Sequence, residues 1–462
     1  MSTLRKALRP KPGASAAVPV EHWGLSADAN GVLSLEGVRL PELAERFGSP
    51  LHVVSARRLR DNARRFLSSH GDSDLRCELF YSYKTNPVPG VLSELHRLGV
   101  GAEVISHYEL WLALELGVPP ELIVYNGPGK SEASVRQAIS AGIQILNLNH
   151  REEIALVARV ARELGRKPRV GLRATVGTGW QAQFGTPAAG DQALRAFEEA
   201  RDTGWLDVVG LHVHRGGMLH DEAELEGYLG PTLELCDQLR SRLGLELEIL
   251  NLGGSLAAPS VRGLSARELR LNRTFFREMP APDPQISLPI ERYVALVCDR
   301  VSAHFRQNGA RRPRVFLEPG RAMTSDTQLL LTRVSSIKRG TERRYAILDA
   351  GINLAESCRG EYHQLLSANH ARAPYDEPYS VVGPICSPAD TLYWSVHLPE
   401  LSPGDSLAIM DAGAYFVPFS TSFSFPRPAI VMVDAGDVRL LRRAEEFTDL
   451  MALDQPEVQR PR

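Results

Sequence analysis

The sequence predicts an α/β protein, a closed (β/α)8 TIM-type barrel followed by a β-rich domain of sandwich or barrel form. Three observations carry this. From about residue 76, short β-rich runs alternate with helical stretches until eight units have passed. After Arg321 the alternation stops and β-rich runs follow one another with turns between them. The chain has 462 residues, 43% of them hydrophobic, which is ample for two cores. Strict strand–helix alternation implies parallel strands, and eight units imply a closed barrel.

The eight expected barrel strands are 77–81, 102–105, 122–125, 144–147, 170–173, 208–214, 248–252 and 315–317. Helical patterns lie between them, for example over 152–164 and 222–243. Ser106 and Glu109 form the S-x-x-E pattern of a capping box. Asn149 is expected to cap the next helix through its side-chain oxygen. In the second domain the expected strands are 329–334, 345–348, 379–382, 406–409 and 429–433, with an early strand over 31–35. The domains read as a tail (1–20), an N-terminal segment joining the β-rich domain (21–50), the barrel (51–325), the β-rich domain (326–450) and a second tail (451–462).

The bulk numbers exclude several classes. The formal net charge is -2 and no Lys/Arg block stands out, so nucleic acid is not an expected partner. No apolar run approaches membrane-spanning length, and no membrane partner is expected. Cys77, Cys236, Cys298, Cys358 and Cys386 are widely spread, with no CxxC pair and no disulfide framework, which suits a reducing cytoplasm. No metal site is read. Residues 1–20 lack acids and carry Arg5, Lys6, Arg9 and Lys11, but without a secretory apolar core they read as a frayed tail.

In a parallel barrel the carboxyl ends of the strands face one mouth, where chemistry is placed. Lys84 follows the first strand in Tyr83-Lys84-Thr85-Asn86-Pro87, either as a solvated cap of the strand end or as an amine that, held there partly desolvated, forms Schiff bases with aldehydes. Arg173 lies near the end of the fifth strand, and His214-Arg215-Gly216-Gly217 ends the sixth. Leu252-Gly253-Gly254-Ser255 ends the seventh, either as a plain turn or as a backbone approach to an anion, with the Ser255 hydroxyl beside it. Glu318-Pro319-Gly320-Arg321 ends the eighth. A carboxylate delivered by the apolar run Val315-Phe316-Leu317 needs a partner: Arg321, or a protonated ring nitrogen of a ligand. His214 is either structural or a flat face for such a ring.

Together these segments resemble the fold-type III pyridoxal-phosphate (PLP) decarboxylases, the diaminopimelate, ornithine and arginine decarboxylases, with the pattern of diaminopimelate decarboxylase. The resemblance runs from about Gly24 to Leu450. It rests on Tyr81-Ser82-Tyr83-Lys84-Thr85-Asn86, Gly101-Ala102-Glu103-Val104-Ile105-Ser106, Gly210-Leu211-His212-Val213-His214, Leu252-Gly253-Gly254-Ser255 and Glu318-Pro319-Gly320-Arg321. In the C-terminal part it rests on Gly383-Pro384-Ile385-Cys386 with Asp390, Gly404-Asp405 and Asp411-Ala412-Gly413-Ala414-Tyr415. It implies an alanine-racemase-like barrel, PLP as cofactor and an amino-acid substrate. Lys84 would carry PLP, His214 would stack on its ring and Glu318 would hold the ring nitrogen protonated. Glu103, Arg173, Gly217, Gly253, Gly254, Ser255, Pro319, Gly320 and Arg321 would complete the cofactor site. Tyr415 and Cys386 would come from the second subunit of a homodimer with shared active sites, Cys386 delivering the proton that replaces CO2. Arg321, Cys386, Ser387, Asp390 and Tyr415 would meet the substrate.

The pattern departs from the family in places. Glu103 stands for the usual aspartate, Gly217 for a serine and Ser255 for a third glycine. Ser387 follows Cys386 where diaminopimelate decarboxylases have glutamate and ornithine decarboxylases aspartate. The catalytic set is kept and the substrate set is changed. The expected activity is therefore amino-acid decarboxylation, diaminopimelate-decarboxylase-like, with a modified or carrier-bound amino acid from secondary metabolism as the alternative substrate. A non-catalytic binding protein on the same fold is the competing class.

Overall fold

The computed structural model describes residues 18–177, 183–341 and 343–454. The chain divides into two compact units. One comprises Arg58–Arg262 and Asp283–Ser325; the other comprises the chain up to Arg57, Gly263–Pro282 and everything from Asp326 onward.

The first unit is the expected barrel. Its strands are β1 (Cys77–Ser82), β2 (Gly101–Val104), β3 (Ile123–Tyr125), β4 (Ile145–Leu148), β5 (Arg169–Thr175), β6 (Asp207–Val213), β7 (Ile249–Asn251) and β8 (Arg314–Leu317). All pair in parallel, in chain order, and β8 returns to β1 through Val315 opposite Cys77 and Leu317 opposite Leu79. These strands are almost wholly buried, as expected where helices cover the outside and side chains fill the inside.

Period-two alternation builds the interior in layers. Phe80, Val124, Ile145, Val209, Ile249 and Phe316 form one apolar layer, with the Phe80 and Phe316 rings 4.5 Å apart. Two residues further along β1, β3, β4, β7 and β8 the chain supplies Ser82, Asn126, Asn147, Asn251 and Glu318, all buried. On these five strands an apolar floor gives way to a polar mouth within one pleat.

The second unit holds a nine-stranded sheet. Along its main path Thr391–Leu398, Glu377–Val382, Arg344–Leu348, Gln328–Arg339, Leu51–Ser55, Ala429–Asp434 and Asp437–Arg442 are neighbours. Ser406–Ile409 also pairs with Gln328–Arg339, and Leu365–Ser367 pairs with Ser406–Ile409. The long strand feeds two cores by alternation, Leu329 and Leu331 in one and Leu330 and Val334 in the other. A small antiparallel sheet of Leu25–Ala27, Leu33–Leu35 and Val38–Arg39 packs into the first of these cores.

Three expectations are corrected. Leu51–Ser55, placed above at the start of the barrel, pairs with Gln328–Arg339 and Ala429–Asp434 instead; buried on both faces, it suits a sheet centre. Gly263–Pro282 falls between β7 and β8 in sequence but belongs to the β-rich unit. Val18 is no tail residue. It is buried, and Gln364 bonds both its N–H and its carbonyl at 2.9 Å. The rest of both expected tails, 1–17 and 455–462, lies outside the described residues.

Candidate active site

The mouth of the barrel is organised around two acids. Glu318, two residues beyond Phe316 and directly after β8, is buried, and its Oε1 accepts from the side-chain amides of Asn251 at 2.6 Å and Asn126 at 2.7 Å. Glu103, on β2, accepts from Asn126 at 2.9 Å and from the Ser82 hydroxyl at 2.5 Å. Lys84, in the turn Tyr83–Thr85 after β1, places its Nζ 3.9 Å from Glu103 Oε2. Lys84 and Glu318 therefore share one mouth, joined through Glu103 and Asn126. Burial first, and then the Glu103 charge, push the Glu318 carboxyl up to about 7.

Two histidines face the same space. The Gly254 N–H donates to His214 Nδ1 at 3.1 Å. Burial and the nearby Lys84 and Arg173 charges hold this imidazole well below its usual range. The ring is thus neutral, with its proton on Nε2 and its orientation fixed. His212 is buried on β6 with Nε2 3.6 Å from Glu318 Oε2, and desolvation holds it neutral as well. Arg173 is buried on β5 over the Phe184 ring at 4.6 Å, and its Nε and Nη2 have no hydrogen-bond partner among the described residues.

The glycines are explained by close approach. A methyl group at Gly253 would overlap His214 Nδ1, at Gly254 the Glu318 carbonyl, and at Gly320 the Thr85 hydroxyl. The anion-approach expectation for Gly253 and Gly254 needs correction. The Gly253 N–H donates to Asn251 Oδ1 at 2.9 Å, and the Gly254 N–H is taken by His214. Ser255, at φ +84°, accepts from the Gly216 N–H at 3.0 Å through its hydroxyl oxygen, which leaves the hydroxyl proton for another acceptor. Gly217 is exposed at φ +68°. The Pro319 carbonyl accepts from the Ser82 N–H at 3.4 Å, and Arg321 opens a single helical turn. The partners of Glu318 are the two asparagines rather than Arg321.

The β-rich unit carries the remaining candidates. Cys386 is an exposed free thiol, not the small buried residue its size would allow. Ser387 folds its turn: its carbonyl accepts from Asp390 N at 3.0 Å and its hydroxyl from Ala389 N at 3.2 Å. Tyr415 lies at φ +68°, stacked on the exposed Phe419 at 5.8 Å. Asp390 differs from its expected role. It is buried, its two oxygens accept from the Ile352 and Ile385 N–H groups at 2.8 and 2.7 Å, and it fills the space left by the missing side chains of Gly351 and Gly383. It is a scaffold carboxylate because backbone donors satisfy both oxygens.

The sequence reading missed Asn126, Asn147, Asn251 and His212. Each is a polar residue in or directly after an apolar run, a pattern that a turn former or a structural histidine also gives. Asn149 was read as a helix cap. Instead its side chain donates to the Gln183 carbonyl and its N–H meets Glu153 Oε2. Ser106 does accept from Glu109 N, while the Glu109 carboxylate reaches Ile105 N.

A family model described as the pyridoxal-binding domain of pyridoxal-dependent decarboxylases matches residues 57–325. The chain belongs to the PLP-dependent decarboxylase family. It is 30% identical to the diaminopimelate decarboxylase of Methanothermobacter thermautotrophicus over 92% of this chain and 96% of the relative. It is 29% identical to that of Aquifex aeolicus over 90% and 94%. The crystal structure of diaminopimelate decarboxylase from M. jannaschii in complex with L-lysine superposes with a TM-score of 0.81 at 25% identity, covering 93% of this chain and 97% of that one. The chain is a PLP-dependent carboxy-lyase. Its own residues fit the cofactor: an amine and a buried carboxylate in one mouth, a neutral imidazole with a fixed ring, and an arginine with two orphaned donors. Among the described residues no group of His, Cys, Asp or Glu is placed to hold a metal, and no helix is long and apolar enough to cross a membrane.

Proposed function

We propose that this decarboxylase removes the α-carboxylate of a diaminopimelate-like amino acid, as a cytoplasmic homodimer with shared active sites. The observation that carries it is the joint placement of Lys84 and Glu318 in one barrel mouth. Bound PLP supplies the electron-withdrawing ring that takes up the charge left when CO2 departs. Lys84 holds the cofactor, Glu318 holds the ring-nitrogen proton, and His214 offers a neutral face. Ser255 and Arg321 would hold its anionic end, and Arg173, whose charge acts on Glu318 and Glu103, would stand beside the ring. Cys386, an exposed thiol, gives the proton that replaces the carboxylate. The exposed Phe419, stacked on Tyr415, supports a subunit contact there, and five free thiols support a reducing compartment.

A second substrate reading is favoured by the β-rich unit. Ser387 carries no charge for a distal ammonium, and a cavity of about 1110 Å³ lies beside it, lined by Pro388 and Ala389, by Tyr393 and Trp394, and by Arg270 and Arg277, which have no ion pair among the described residues. That volume exceeds what pockets for drug-sized ligands usually offer, roughly 300–1,000 Å³, and favours an amino acid extended by an anionic group. A substrate panel read for CO2 release decides. Turnover of meso-diaminopimelate removes the second reading, and turnover of extended amino acids alone removes the first. Lys84→Ala is expected to abolish turnover and the absorbance of bound PLP while leaving the circular dichroism unchanged. Retention of that absorbance after dialysis contradicts the assignment of Lys84.

A further inference from the structure

We infer that Asn126 is a positioning residue that binds the two acids of the barrel mouth into one unit, giving one N–H of a single amide to Glu103 and the other to Glu318. The inference rests on the reading that Glu318 faces the cofactor.

The geometry leaves the amide no alternative. Its nitrogen lies 2.9 Å from Glu103 Oε1 and 2.7 Å from Glu318 Oε1, and its oxygen accepts from Asn147 Nδ2 at 2.8 Å. Both donors and the acceptor are thus in use. The two carboxylates set the direction of the amide, because they only accept, and Asn147 completes the arrangement by offering its NH2 to the Asn126 oxygen. Asn147 itself stands where Gly171 on β5 leaves room, since a methyl group at 171 would overlap Asn147 Oδ1. The following turn is pinned by Lys130, whose buried ammonium donates to the Gly127 carbonyl at 2.5 Å and to Glu153 at 3.2 Å.

Two carboxylates on the strands either side of β1, in a desolvated mouth, repel each other and raise one another's proton affinity. A shared donor offsets this by favouring both ionised forms at once. The other groups facing Glu318 divide in sign. Lys84 and Arg173 favour its ionised form. His212 and His214 are neutral, and Tyr228, whose hydroxyl donates to the Leu252 carbonyl, is held neutral by burial. Among the described residues, Asn126 and Asn251 are the two direct hydrogen-bond donors to the Glu318 carboxylate. Asn126 alone also reaches Glu103, so its loss acts on the pair and not on one acid.

The test is a pH titration of buried carboxyl groups in the PLP-free protein, followed by infrared difference spectroscopy. Asn126→Ala is expected to raise the Glu318 protonation midpoint by about one to two pH units, the equivalent of one hydrogen bond to a charged group. Asn126→Asp, which adds a third carboxyl, is expected to raise it at least as far. Asn147→Ala, which takes the donor from the Asn126 oxygen and loosens the amide, is expected to give a smaller rise in the same direction and serves if Asn126→Ala does not fold. Glu318→Gln identifies the band by removing it. An unshifted midpoint in the folded Asn126 variants, or in Asn147→Ala where those do not fold, overturns the inference. The titration needs no cofactor, so it stands apart from the failure of the function: retained PLP absorbance in Lys84→Ala overturns the functional reading and leaves this result intact.

Discussion

Glu109 is a carboxylic acid that the barrel keeps from water without using it in the mouth. Burial is the main cause that pushes it up to about 7, and Glu103 adds to the effect, while the Ile105 N–H at 2.7 Å works the other way. The linkage has a definite sign. Above pH 4.5, the ordinary value, an unfolded Glu109 gives up its proton, whereas the folded protein retains it up to about 7. The folded state therefore binds more protons across that window, and the contribution of this group falls as pH rises through it. A difference of this size corresponds to at most about 3 kcal/mol. Glu109→Gln keeps an oxygen for Ile105 but has no proton to lose. Urea unfolding of the PLP-free protein is expected to show the variant no more stable than the parent at pH 4.5 and more stable at pH 8. Equal stability of the two at pH 8 contradicts the burial argument.

At the scale of elements, the turn after β7 shows how a strand end becomes a tool. Gly253 lies at φ +65°, bonded through its N–H to Asn251 and through its carbonyl to the Glu318 N–H, with His214 against its Cα. Gly253→Ala adds left-handed strain of about 1 kcal/mol and drives a methyl group into the imidazole. The expected outcome is a folded protein destabilised by about 1–3 kcal/mol whose PLP affinity drops more than tenfold, measured by equilibrium dialysis. Unchanged affinity shows that His214 is not part of the cofactor site. Much of this element scale was legible in the sequence, because β1 to β8 are apolar runs with turn residues at their ends. The amides were not. Asn at the end of a run reads as a turn former, and only the closure of the barrel reveals that Asn126 and Asn251 donate to Glu318 while Asn147 backs Asn126. Leu51–Ser55 was readable as a buried run but not as a member of the distant sheet, since its partners begin at Gln328. Asp390 was read for its charge, whereas the backbone N–H groups around two glycines claim it first.

For the whole molecule, the division of the chain sets the question of assembly. Lys84, His214 and Glu318 stand in the barrel unit, and Cys386 and Tyr415 stand in the β-rich unit. On the proposed homodimer each site takes Lys84 from one subunit and Cys386 from the other. Lys84→Ala and Cys386→Ala are then both inactive as pure dimers, for different reasons. In a mixed dimer, one site joins the intact Lys84 of one chain to the intact Cys386 of the other, and the second site carries both defects. Random exchange makes about half of the dimers mixed, each with one of two sites intact, so equal mixing restores about a quarter of wild-type turnover. If the two residues of a site came from the same chain, no mixed dimer would hold an intact site and turnover would stay at zero. Native mass spectrometry of the mixture establishes that exchange has occurred. Mixed dimers without recovered turnover refute the shared site, even if the protein is dimeric.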